Sequence, residues 1–170
     1  MQARSLIFAL ATAFLVVPAA FGQTPQILQA RFDQESDAVR RAKMMMEMSR
    51  TDFRAVSDEV AAGDNTDALK TLQQFVDDVQ HCFDALDAKE SNPEAHPAGF
   101  KQLQITTRES LRRLDDLTVN LSGDEQAPFL AIRKNLDDLN RDLIRKLFPH
   151  QPQPPGPPPA SPQTQPEAKP

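Results

Sequence analysis

The chain of 170 residues reads as all-α: an up-down-up-down four-helix bundle with a long first helix. Two observations predict this. Apolar residues recur at alternating steps of three and four, the seam of left-handed helix packing, and no strand-like alternation competes with it. Glycine is also rare: after Gly22 only Gly63, Gly99, Gly123 and Gly156 remain, and the first three fall where the periodicity breaks.

The first residues stand outside that pattern. "MQARSLIFALATAFLVVPAAFG" has one cation, Arg4, then an apolar run from Leu6 to Val17 and small residues. Ala20 and Gly22 occupy the −3 and −1 positions of a small-x-small cleavage site, so residues 1–22 read as a secretory signal peptide. The run is about a dozen residues, short of the roughly 20 that span a bilayer. No membrane span is expected after cleavage, and the protein is expected to be secreted or periplasmic.

Residues 23–148 form the expected helical bundle. The first helix is placed at about 25–62, with Thr24 as N-cap and Pro25 at the first helical position. Its seam is Phe32, Glu35, Val39, Ala42, Met46, Ser49, Phe53, Val56 and Val60. The second, about 66–89, follows the cap-rich "GDNTDAL" and carries Leu72, Phe75, Val79, Cys82 and Leu86. The third, about 98–121, carries Phe100, Leu103, Thr107, Ser110, Leu114, Leu117 and Leu121.

The fourth helix, about 124–147, carries Phe129, Ile132, Leu136, Leu139, Leu143 and Leu147. Ser122 and Glu125 have capping-box spacing, although Pro128 also allows Asp124 as the cap. Leu69, Val76, Phe83, Leu111 and Ile144 widen the stripes to the width that a bundle requires. The remaining 149–170 has proline at ten of 22 positions and no large apolar residue, so it is expected to be disordered or polyproline II in character.

At 1.5 Å per residue the later helices run roughly 36 Å, whereas a helix over 25–62 runs roughly 55 Å. The excess near its start carries Ile27, Leu28 and Phe32. Either the helix breaks near "QESDA" and folds back, or these side chains form an overhang for self-association or an unknown protein partner.

Composition excludes several function classes. Cleavage after Gly22 removes Arg4 and moves the formal charge from −5 to −6, which disfavours nucleic acid and anionic membranes as partners. Cys82 is the single cysteine and cannot form an internal disulfide. On its seam it reads as an inert core thiol. No glycine-rich phosphate loop, HExxH, CxxCH or di-iron ExxH pair is present. No enzymatic activity and no cofactor are expected.

The one stretch that suggests ligand chemistry is "RRAKMMMEMSRTDF". Met46 lies on the seam and Met45 flanks it. Met44 and Met48 read as an i, i+4 pair on the far side, offering two thioethers of the kind that soft Cu(I) selects. His81, with Asp77 and Asp84 within helical reach, is the other metal candidate. The expected role is therefore a non-enzymatic interaction or scaffold protein of the cell envelope or exterior. The alternative is a small metal- or cofactor-binding periplasmic bundle using Met44, Met48 and His81. N-terminal sequencing of exported material should return Gln23 as the first residue; an intact Met1 in a membrane fraction would refute the signal-peptide reading.

Overall fold

The structure is a computed structural model, and it describes residues 25–90 and 92–150. The signal peptide, the Thr24 cap and the proline-rich stretch from 151 onward lie outside the described residues. Those described are all-helical: α1 (Pro25–Gln34), α2 (Ala38–Ala61), α3 (Asn65–Lys89), α4 (Ala98–Thr118) and α5 (Gly123–Leu147). None of these helices is long and apolar enough to cross a membrane.

The expected first helix over 25–62 is two helices. It breaks at residues 35–37 without glycine or proline, and side-chain chemistry ends it. Asp37 adopts an extended backbone (φ −84°, ψ 117°) and its carboxylate accepts the backbone N–H of Arg40 at 2.9 Å, as an N-cap does. The Glu35 carboxylate accepts Asp37 N–H at 2.8 Å and Arg40 Nε at 2.9 Å, and Arg41 grips the Glu35 carbonyl through its guanidinium. Lys89 Nζ bonds Asp37 Oδ2 at 3.0 Å, tying the break to the end of α3. The Arg40 backbone N–H first, and Lys89 second, hold the Asp37 carboxyl down to about 2.

Beyond the break α1 doubles back, so that Pro25 and Gln26 lie in one cleft with Asp52 of α2. Leu28 and Phe32 are buried, and only Ile27 of the expected overhang is exposed. Arg41 sits over the Phe32 ring at 5.5 Å. The apolar overhang is therefore closed within the chain.

The other four helices make one core. α2 packs on α3 and α4, α5 packs on both of those, and α3 also touches α4, while α1 approaches the backbone of α2 alone. The seams expected for α3 and α5 are buried at every position named above. In α4 Phe100 to Leu114 are buried, but the helix stops at Thr118, so Leu117 and Leu121 are only partly covered. Phe53 and Phe75 meet edge to face at 5.7 Å, as do Phe83 and Phe100 at 6.3 Å.

On α2 the expected seam is buried at Ala42, Ser49, Phe53 and Val56 and departs by one residue at two positions. Ala38 and Met45 are buried, whereas Val39 and Met46 are half-buried. Small residues Ala38, Ala42 and Ser49 lie on this buried face, and Ser49 Oγ and Ser110 Oγ of α4 share a buried hydrogen bond of 2.7 Å. At Gly99 a Cβ would stand 2.4 Å from a methyl of Leu86.

The connections follow local rules. Gly63, with φ +79°, ends α2 in the left-handed conformation that glycine adopts without steric cost. Asp64 N–H closes that turn onto the Glu59 carbonyl at 2.9 Å. Ser122 rather than Asp124 caps α5: Glu125 Oε2 accepts the Ser122 N–H at 3.1 Å and its hydroxyl at 2.6 Å. Pro128 is accommodated in the second turn of that helix.

Leu114 is fully buried in the apolar core. Leu114→Asp should abolish cooperative unfolding, because an unpaired buried carboxylate costs several kcal/mol against a total of roughly 5–15. Glu47→Ala, on an exposed face, should shift stability by less than about 0.5 kcal/mol. Thermal melts followed by circular dichroism decide it, and equal melting temperatures would show the core assigned wrongly.

Candidate functional site

The buried face of α2 is Ala38, Ala42, Met45, Met48, Ser49, Phe53 and Val56, and the half-buried Asp52 adjoins it between Ser49 and Val56. Across from it, α3 turns Asp78 inward beside Phe75 and Val79, and Asp78 is 2 % exposed. Helix α1 closes over both. Its Gln29 donates to Asp78 Oδ1 at 3.4 Å, and Gln74, one turn back on α3, donates to the same oxygen at 3.2 Å. Asp78 Oδ2 is buried with no hydrogen-bond partner.

An open cleft of about 390 Å³ lies beside this pair, lined by Pro25, Gln26 and Gln29 from α1, Asp52 from α2, and Lys70, Thr71 and Gln74 from α3. Lys70 does not supply the missing countercharge in full, since its Nζ is held by Asp67 at 2.6 Å. Thr71 Oγ1 turns to the Glu59 carboxylate at 3.3 Å.

Burial and mutual repulsion set the electrostatics. Loss of solvent, reinforced by the Asp78 charge, pushes the Asp52 carboxyl up from the ordinary 3.8 to about 7. Asp78 is raised too, chiefly by burial; its amide partners and His81 oppose the rise and Asp33 of α1 adds to it. The site is therefore a pair of carboxyl groups whose proton affinity is raised, that of Asp52 the more strongly.

The residues singled out in the sequence fall elsewhere. Met48 is 2 % exposed and packs in the core, so it is not on the far side with Met44, and the two form no exposed thioether pair. Met44 is half-buried against the same core. One face of α2 is wide enough to absorb Met45 and Met48 together, because small residues on the seam leave room beside them. His81 is exposed on α3, while Asp77 and Asp84 accept side-chain amides from Gln73 at 2.9 Å and Gln80 at 2.8 Å. Among the described residues no three His, Cys, Asp or Glu side chains converge as a metal site. Cys82 is fully buried, and burial pushes its thiol up to about 12.

Asp52 and Asp78 did carry a sequence signal. Asp52 lies three residues after Ser49 and four before Val56, which is seam spacing, and Gln74 stands one turn before Asp78. Comparison of the chain with protein-family models, with curated proteins and with solved structures finds no match.

The raised Asp52 carboxyl fixes the sign of a pH effect. Its contribution to stability is complete below about pH 4, where folded and unfolded chains are both protonated. It is lost as pH rises toward about 7, because the unfolded chain gives up the proton first. Asp52→Asn should remove this dependence and raise the melting temperature at pH 8 by on the order of 4 °C per kcal/mol regained. The check is the difference in melting temperature between wild type and variant at pH 5 and pH 8. An equal difference at both pH values would show that Asp52 stays ionised in the fold.

Proposed function

We propose that the protein is an exported, non-enzymatic interaction or scaffold protein of the cell envelope or exterior. In this reading it is an up-down-up-down four-helix bundle with α1 as a detachable arm. One observation carries the reading: α1 is a ten-residue helix whose backbone approaches that of α2 alone, with Gln29 reaching Asp78 of α3, yet it holds Leu28 and Phe32 buried. A helix that short has little stability of its own in water. Its order comes from those two contacts and from the capped break at residues 35–37.

The partner that fits best is a second copy of the chain. The site that α1 occupies on α2 is already shaped for that sequence, and the break is only three residues long. Straightening it gives one helix of roughly 55 Å that carries Ile27, Leu28 and Phe32 beyond its own core, able to dock on the α2 of a neighbour. The signal-like residues 1–22 and the proline-rich residues 149–170 support an exported protein with a spacer at its end.

Asp37→Ala removes the cap that favours the bent form, worth about 0.5–2 kcal/mol per hinge. The association constant of the exchanged dimer should then rise by about tenfold or more. Sedimentation of wild type and variant across a hundredfold concentration range measures this, and a variant that stays monomeric throughout refutes the reading.

A further inference from the structure

We propose that Asp52 and Asp78 form a proton-operated latch on α1: with a proton on the pair the helix stays docked, and ionisation of both carboxylates drives it off α2. This rests on the reading of α1 as the detachable element and adds what controls it.

The geometry places the latch under the helix it would control. Asp78 reaches α1 directly through Gln29, and Asp52 lines the cleft whose other walls include Pro25, Gln26 and Gln29. A neutral carboxyl tolerates the unpartnered Oδ2 of Asp78, whereas a carboxylate there requires water or a donor. Two negative charges on the pair also repel each other in a poorly solvated site.

The other charged groups around the pair leave that conflict standing. Asp33, on α1 itself, repels Asp78, so the docked helix adds a like charge. Arg41 of α2, which acts on the neighbouring Cys82, stacks over Phe32 and bonds the Glu35 carbonyl. Lys70 is paired with Asp67, and Glu59 is turned to Thr71. His81 attracts the Asp78 charge and is the competing titratable group. The element that yields is α1, since α2 to α5 share one large apolar core and α1 adds only Leu28 and Phe32 to it.

The test is hydrogen–deuterium exchange of the purified protein at pH 5.5 and pH 8.0, after correction for the intrinsic pH dependence of exchange. Protection of α1 amides should fall at least tenfold at the higher pH while α5 stays protected. Asp78→Asn and Asp52→Asn, which mimic the protonated pair, should each keep α1 protected at pH 8.0. His81→Gln should respond to pH as wild type does. The latch is overturned by α1 protection that ignores pH, by loss of protection in all helices together, or by asparagine variants that still release α1. It is also overturned if His81→Gln alone removes the response. These outcomes are read within one chain, so they are separate from whether a dimer forms: a dimer without pH-dependent release refutes the latch only, and release without a dimer refutes the exchange reading only.

Discussion

The structure turns on the three residues between α1 and α2. If Glu35, Ser36 and Asp37 continued the helix, Leu28 and Phe32 would lie beyond the other helices and the Asp78 carboxyl would lose Gln29. Instead the Asp37 carboxylate accepts the Arg40 amide, and Arg41 holds the Glu35 carbonyl, so both orphaned helix ends find partners. One partner is the N-cap of α2 and the other a side chain of its first turn. The same turn that begins the long helix therefore ends the short one.

That arrangement joins two opposed terms. Docking α1 buries Leu28 and Phe32, each worth roughly 1.5–3 kcal/mol in apolar transfer. It also buries the Asp78 carboxyl beside the half-buried Asp52, which is tolerable while the pair holds protons and unfavourable once both are charged. The remaining polar groups of the interior lack this instability. Ser49 and Ser110 satisfy each other, and Thr106 and Thr107 return their hydroxyls to carbonyls one turn back. Neutral hydroxyls cost little when paired and do not change charge with pH. Sensitivity is thus confined to the pair beneath α1.

Most of the helical order was legible in the sequence. The heptad-like spacing of Leu72, Phe75, Val79, Cys82 and Leu86, and of Phe129 to Leu147, corresponds residue by residue to the buried faces of α3 and α5. Glycine and proline marked the later turns, whereas the first break had neither. Its signal was the Ser36–Asp37 pair, weak because an apolar pattern that steps across Glu35 counts a charged residue as seam. The face of α2 was also ambiguous, since Met44, Met45, Met46 and Met48 leave apolar residues on nearly every side.

The spacing signal of the carboxyl pair was masked for a related reason. An aspartate within a helix rich in aspartate is read as solvated, and Asp78 stands beside the exposed Asp77. Its burial depends on where α1 lies, and α1 lies there only because the helix breaks. A reading that extends the first helix must leave Asp78 open to solvent and unremarkable. Local capping chemistry at three residues therefore decides whether a distant acid on another helix is an ordinary surface charge or a group with a raised proton affinity.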